Sequence, residues 1–252
     1  MKIIATIEAR LGSKRLPDKL LLKLGNKTVF EFLIDRLKKI KKIDKIVLAT
    51  TKKFEDEKLV RLAKKKKINF YRGDEHNVLK RVYEAAKKNH ADAILQVSGD
   101  SPFTDFKLAS DWIEIFIRNR IDIISDYWGE FPAGVTAPVI SVKALNKSIN
   151  LAKTKLDKEH VTRTIFLNQS KFKILFLLAR KEQKLPKLNL CLDELSDYRL
   201  LNLLVKKFDV NNFVTEDLVK LLNKNKKILK INKNKKSLSQ KEHKKYMELL
   251  NQ

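Results

Sequence analysis

The chain has 252 residues, 43% hydrophobic and 34% charged, which gives it one substantial core and excludes a disordered or fibrous polymer. No run approaches the roughly 20 apolar residues of a membrane-spanning helix. The single cysteine, Cys191, excludes an internal disulfide and suits a reducing cytoplasm. The net charge of +25, from 55 Lys and Arg against 30 Asp and Glu, invites a nucleic-acid reading. Most of that excess is Lys spread along helix faces (38–42, 64–67, 87–88, 206–207, 224–236), a solvated background with no aromatic-and-basic recognition motif. Neither a specific nucleic acid nor a membrane is therefore expected as a partner.

In chain order, a β-rich run over 3–7 enters a basic loop at 9–19. Thr28-Val29-Phe30-Glu31 is a capping box opening a helix with Phe32, Leu33, Leu37 and Ile40 on its apolar side. A strand over 45–50, an amphipathic helix over 55–66 and a short strand over 68–71 follow. A helix over 78–88 leads to a strand over 92–97, a helix over about 105–120 and a strand over 121–124. Strands separated by helices of this length predict an α/β fold with a mostly parallel sheet and helices on both faces. In such sheets ligands sit beyond the carboxyl ends of the strands, where loops 9–19 and 98–105 fall.

The second half is less regular. It predicts a strand over 139–142, helices over 143–153 and 158–167, and strands over 172–178 and 188–192 as a small antiparallel insertion or dimer surface. Ser196 is placed as the cap of a helix reaching 208, and Thr215 as the cap of one reaching about 223. This organisation is one domain over 1–223, with 130–190 as an acceptor or dimerisation region. The Lys- and Asn-rich tail, 224–252, is expected to be mobile or loosely docked.

The first loop carries the strongest chemical signal. Arg10 and Arg15 can each make forked bonds to phosphate oxygens, Lys19 adds a point charge, and Gly12 and Ser13 permit a tight turn with accessible N–H groups. Gly25-Asn26-Lys27-Thr28 is not a P-loop, and no Gly-x-Gly-x-x-Gly occurs, which disfavours ordinary dinucleotide binding. In Gln96-Val97-Ser98-Gly99-Asp100-Ser101-Pro102-Phe103-Thr104-Asp105, a strand ends in a Gly-Asp turn. Asp100 there is either a turn-capping residue or a carboxylate holding Mg²⁺ against a triphosphate, a role that takes one or two carboxylates. Asp193, closing the apolar run 188–192, is the second candidate and equally a turn former. Of the histidines, His90 and His243 read as surface residues, His76 as a helix cap, and His160 as an acceptor-orienting or packing residue. No histidine pair has zinc spacing, and Trp112 and Trp128 read as core or rim residues.

The ordered set Glu8-Ala9-Arg10-Leu11-Gly12-Ser13-Lys14-Arg15-Leu16-Pro17-Asp18-Lys19, Arg72-Gly73-Asp74-Glu75-His76-Asn77-Val78-Leu79-Lys80-Arg81, Gly99-Asp100-Ser101-Pro102, Lys158-Glu159-His160-Val161-Thr162 and Leu192-Asp193-Glu194-Leu195-Ser196-Asp197 resembles the sugar-acid cytidylyltransferases. Similarity is closest to their spore-coat-polysaccharide branch and extends to the enzymes that make CMP-Kdo and CMP-sialic acid. The resemblance implies a Rossmann-like nucleotide-binding sheet and transfer of CMP from CTP to a sugar acid, with release of pyrophosphate, for surface polysaccharide or glycoconjugate synthesis. It assigns Arg10, Ser13, Arg15 and Lys19 to the nucleotide phosphates, within a loop that also contributes Ala9, Leu11 and Gly12. Asp100 and Asp193 become the Mg²⁺ carboxylates, and Asp74 and Asn77 the polar groups beside the base. Gln96, Thr136 and His160 are the acceptor-side candidates, and a homodimer is implied. The chain departs from the pattern at Asp18, which stands for a common Gly, and at Thr136 and Pro138, which replace acids. The alternatives are a transferase using another nucleotide, a nucleotide-sugar-dependent glycosyltransferase, for which an Asp-x-Asp motif is missing, and a non-catalytic polyanion binder.

Overall fold

The computed structural model describes residues 1–126, 129–210 and 212–231; Trp128, His243 and the tail beyond 231 lie outside them. The strands are β1 (Ile3–Glu8), β2 (Lys23–Leu24), β3 (Lys27–Thr28), β4 (Lys45–Thr51), β5 (Asn69–Gly73), β6 (Ala93–Ser98), β7 (Ile123–Asp126), β8 (Val139–Ser141) and β9 (Ile174–Leu177). The helices are α1 (Val29–Leu37), α2 (Glu57–Lys65), α3 (Val78–Lys88), α4 (Phe106–Asn119), α5 (Val142–Leu151), α6 (Lys155–Glu159), α7 (Arg163–Leu167), α8 (Leu195–Lys207) and α9 (Thr215–Lys224).

Seven strands form one sheet in the order β5-β4-β1-β6-β8-β7-β9. β5, β4, β1 and β6 are parallel, β8 runs antiparallel to β6 and β7, and β9 pairs parallel with β7. The expected α/β class is what the chain adopts. The separate small antiparallel pair is β2–β3, between the basic loop and α1, and not 172–178 with 188–192 as expected: β9 joins the main sheet parallel to β7.

Residue alternation explains the layering. In β1, Ile3, Ala5 and Ile7 pack into one core with α1, α2, α4, α8 and α9, while Ile4 packs into the other with α3, α5 and α7. Right-handed crossovers put α1 and α2 on one face as the chain moves outward from β1 to β5. They put α3 on the other face as the chain returns to β6. That reversal lies between β1 and β6, and it places the ends of these two neighbouring strands at the ligand-binding edge.

Local signals fix the helix starts. Thr28 Oγ1 accepts from Glu31 N at 3.1 Å and Glu31 Oε2 accepts from Thr28 N at 3.0 Å, the expected capping box. Asp105 caps α4 through Leu108 N at 3.0 Å, and its other oxygen accepts from the Thr215 hydroxyl at 2.6 Å. The buried Arg36 guanidinium donates to Thr104 O, Val210 O and Phe213 O at 3.1, 2.9 and 2.9 Å, so the α8–α9 connection is fastened to α1 and to the loop before α4. Ile228, beyond the expected boundary at 223, is also buried in the first core.

Four expectations are corrected. The helix expected over 158–167 is two, α6 and α7, because the Thr154–Asp157 capping box starts the first earlier and His160 leaves it in an extended conformation. The run over 188–192 is not a strand. Leu188, Leu190 and Leu192 are buried, but the backbone makes a single parallel bridge, Asn189 with Ala133. Glu194, not Ser196, is the N-cap of α8, with Asp197 Oδ2 accepting from Glu194 N at 2.9 Å. Val214, not Thr215, occupies the N-cap position of α9, its amide donating to Asp217 Oδ2 at 3.2 Å, and the Thr215 hydroxyl is spent on Asp105.

Candidate active site

The β1 and β6 ends meet closely. Gly99 N donates to Glu8 O at 2.9 Å, and a Cβ at Gly99 would stand 3.0 Å from that oxygen and from Ala9 Cβ, so any larger residue would have to push the two strand ends apart. Leu11 N donates to the buried Asp56 Oδ1 at 2.7 Å, and Ser13 N to Leu11 O at 2.8 Å. These bonds pin the root of the basic loop while Arg10, Lys14 and Arg15 remain exposed. Asp18 sits in the left-handed region at φ 50°, the conformation a glycine takes without strain.

Lys19 ties the loop to the rest of the site. Its Nζ donates to Asp100 Oδ2 at 2.7 Å, to Leu192 O at 2.7 Å and to Asp193 Oδ1 at 3.2 Å. Burial alone would lower the ammonium's pKa, but the charges and hydrogen bonds of Asp100 and Asp193 outweigh it and hold the pKa above its ordinary value. Arg15 Nη2 reaches the same Asp193 oxygen at 2.9 Å, and the Ser98 hydroxyl donates to Asp100 Oδ1 at 2.6 Å. Two acids from distant parts of the chain therefore converge on one cation.

The main chain enforces that convergence. Leu192 N donates to Asp100 O at 2.7 Å, and Asp197 Oδ2 accepts from Asp193 N at 3.1 Å while capping α8. Gly134, at φ +87°, lies so near Cys191 N that a Cβ would stand 3.0 Å away, and residues 133–134 close the site against 189–191.

The resulting cleft holds about 620 Å³, within the roughly 300–1,000 Å³ of small-molecule sites. Ala9, Arg10, Gly12, Ser13, Arg15 and Lys19 line it together with Asp100 and Asp193, and so do Gln96, Thr136 and His160. Three expected residues lie elsewhere. Leu11 is buried in the core and contributes only its amide to Asp56. The Asp74 carboxylate accepts from the amides of His76 and Asn77, and Asn77 Oδ1 caps α3 through Lys80 N. Neither side chain lines the cleft; the 72–81 segment meets the loop through Glu75, whose Oε1 accepts from Arg10 at 3.1 Å. His76 and His90 are exposed, and Trp112 is buried with its ring 6.0 Å from Phe131.

The residues fit a divalent cation. Asp100 and Asp193 already converge on a positive charge, and Mg²⁺ takes one or two carboxylates completed by phosphate oxygens and water. Among the described residues no group of three His, Cys, Asp or Glu forms an all-protein cage.

The family model for cytidylyltransferases matches residues 4–202, which includes every element of this cleft. The chain belongs to the cytidylyltransferase family. The protein MJ1063 of Methanocaldococcus jannaschii is 38% identical over 92% of this chain and 94% of its own length. The spore coat polysaccharide biosynthesis protein SpsF of Bacillus subtilis is 29% identical over 88% of this chain and 95% of its own. A cytidylyltransferase structure from Leptospira borgpetersenii superposes with a TM-score of 0.86 at 29% identity, covering 94% of this chain and 99% of that one. The sequence resemblance to the sugar-acid cytidylyltransferases and their spore-coat branch is thus borne out.

The cytidylyltransferase cleft also contains residues that the sequence reading did not select. Asp126, at the end of β7, accepts from the Thr136 hydroxyl at 3.3 Å, and burial pushes its carboxyl pKa up. It returns an acid to the neighbourhood where Thr136 and Pro138 had removed two. Glu8 lines the cleft beside Gln96, and burial pushes its pKa up to about 7. Ser98 orients Asp100, and Cys191 lines the wall as a thiol whose pKa burial raises. The clue to Glu8 was an acid closing an apolar strand; Asp126 gave no local signal, because its partner arrives through β7–β8 pairing.

Proposed function

We propose that this cytidylyltransferase moves a cytidylyl group from CTP to a hydroxyl of a sugar acid, releasing pyrophosphate, in the synthesis of a surface polysaccharide or glycoconjugate. The observation that carries the reading is the convergence of Lys19, Asp100 and Asp193 beside Arg10 and Arg15 in one cleft. The spore-coat name of a relative that spans nearly the whole chain supports the polysaccharide context.

In the proposed reaction the acceptor oxygen bonds to the α-phosphorus, the bridging bond to the β-phosphate breaks, and pyrophosphate leaves with its negative charge. Arg10 and Arg15 bind and orient the triphosphate by forked hydrogen bonds, giving up Glu75 and Asp193 as they do so. Lys19 exchanges its two acids for phosphate oxygens and offsets charge as it gathers on the leaving pyrophosphate. Ser98 and Asp197 keep Asp100 and Asp193 aimed. Those two carboxylates would hold a Mg²⁺ ion, which when bound polarises the phosphate and lowers the pKa of an attacking hydroxyl. Gln96, Thr136 and His160 line the wall where an acceptor would lie.

A second reading, transfer from another nucleotide, is favoured by one observation. The side chains expected to read the base, Asp74 and Asn77, are engaged in turn and helix capping. Pyrophosphate release from each of the four NTPs, measured with Mg²⁺ against Kdo and other ulosonic acids, separates the two. CTP-selective release with at least one acid is expected. Release with another NTP alone would establish the second reading, and no release with any pair would contradict both.

A further inference from the structure

Glu8 is the last residue of β1, in register with Ser98 of β6, so its side chain shares a sheet face with Ser98 and with Gln96 two residues earlier. Its carboxyl lines the cleft, yet Oε1 is shielded from solvent and has no hydrogen-bond partner. Buried acceptors are nearly always bonded, and one left open in the wall of a substrate cleft awaits a donor from the ligand. Burial pushes this carboxyl up to about 7, against the nearby Gln96 amide and the charge of Arg81, with Asp100 adding to the rise. Both protonation states are then present near neutral pH. A hydroxyl group can donate to either form and accept the proton of the protonated one; a carboxylate can serve only the protonated form, and an ammonium can accept from neither.

The position narrows the source of that hydroxyl. β1 leads directly into the phosphate loop and β6 into Asp100, so Glu8 stands under the place where the reacting phosphate would lie. Two hydroxyl-bearing groups adjoin that phosphate in cytidylyl transfer: the ribose of the nucleotide and the acceptor sugar. We propose that Glu8 is a specificity-determining residue of the cleft, its open carboxyl oxygen bonding a sugar hydroxyl of the ribose or of the acceptor. The inference rests on the cytidylyl-transfer reading and adds a residue to it.

The test uses the full chain as wild type, Glu8→Gln and Glu8→Ala, titrated calorimetrically with Mg²⁺ and CTP, 2′-deoxy-CTP or 3′-deoxy-CTP. In a second arm, Kdo is titrated into protein loaded with α,β-methylene-CTP, which cannot be cleaved. If the ribose is the source, wild type prefers CTP over one deoxy analogue by roughly tenfold, Glu8→Ala erases the preference and Glu8→Gln keeps most of it. If the acceptor is the source, nucleotide preference is unchanged and Glu8→Ala weakens Kdo binding by roughly tenfold, again rescued by Gln. The assignment is wrong if Glu8→Ala matches wild type in both arms, or if Kdo fails to bind while the ribose arm is unchanged. Failure of the wild type to bind CTP at all would overturn the cytidylyl-transfer reading, and this inference with it.

Discussion

Around Lys19 the acids of the cleft are matched by cations: Asp100 by Lys19, and Asp193 by Lys19 and Arg15. Glu8 and Asp126 line the same cleft without an ion pair to Lys or Arg among the described residues; the charge of Arg81 acts on Glu8 without forming one, and burial pushes both pKa values up. Among the described residues, all the Lys and Arg lining the cleft come from residues 10–19. The difference separates two uses of a carboxyl group. Paired acids hold their cations in place, where the proposed reaction would exchange them for phosphate and metal. Unpaired, buried acids lose charge readily and suit hydrogen bonding to neutral hydroxyl groups.

The sharpest way to break this distinction is to neutralise a paired acid. Asp100→Asn keeps the shape of the side chain and a bond to Ser98, and is expected to cut pyrophosphate release by about 10²–10³ with an unchanged far-ultraviolet spectrum. Near-normal turnover would mean that the pairing is structural only. Lys19→Met removes the shared cation and leaves Asp100 and Asp193 facing each other. It is expected to slow turnover by about 10², and also to make the melting temperature respond more strongly to Mg²⁺ than in the wild type, because the ion replaces the lost charge. A variant whose melting temperature ignores Mg²⁺ would deny that the two acids form one cation site.

The unpaired side is tested by pH. The folded Glu8 pKa, about 7, lies above its ordinary 4.5, so the folded state binds more protons between those values. Its contribution to stability is complete below pH 4.5 and is lost as the pH rises through 7. Glu8→Gln removes that slope. Its stability relative to wild type should climb across this window to a gain of up to about 3 kcal/mol at pH 8, read from denaturant midpoints. A gap that stays constant with pH would show that Glu8 is solvated and ordinary.

The same contrast governs what could be read from the chain. β1, β4, β6, α1 and α3 follow from apolar runs, a capping box and helix-length spacing, which are local signals. The cations of 10–19 and the acids Asp100 and Asp193 were legible because each lies in a compact motif at a strand end. Their meeting was not a local matter. It depends on Leu192 N bonding to Asp100 O and on Asp197 reaching back to Asp193. The second half was harder for the same reason: 188–192 has strand-like alternation, yet it pairs with 133 and 100 instead of joining the sheet. Asp74 and Asn77 illustrate the converse, since polar residues in a turn are as readily used to cap the next helix as to meet a ligand. The α6–α7 break, which brings residues 159–162 to the cleft, depends on Asp157, whose side chain accepts from Thr154 N and from Arg163 Nε at 2.8 and 2.9 Å.

The central claim is that Asp100 and Asp193 share one divalent ion with the triphosphate. Anomalous diffraction from crystals soaked with Mn²⁺ and α,β-methylene-CTP tests it directly. The account predicts a manganese peak bound by both carboxylates, with Lys19 Nζ moved onto phosphate oxygens. A nucleotide bound with manganese on its phosphates alone, and Lys19 still bridging the two acids, would contradict it.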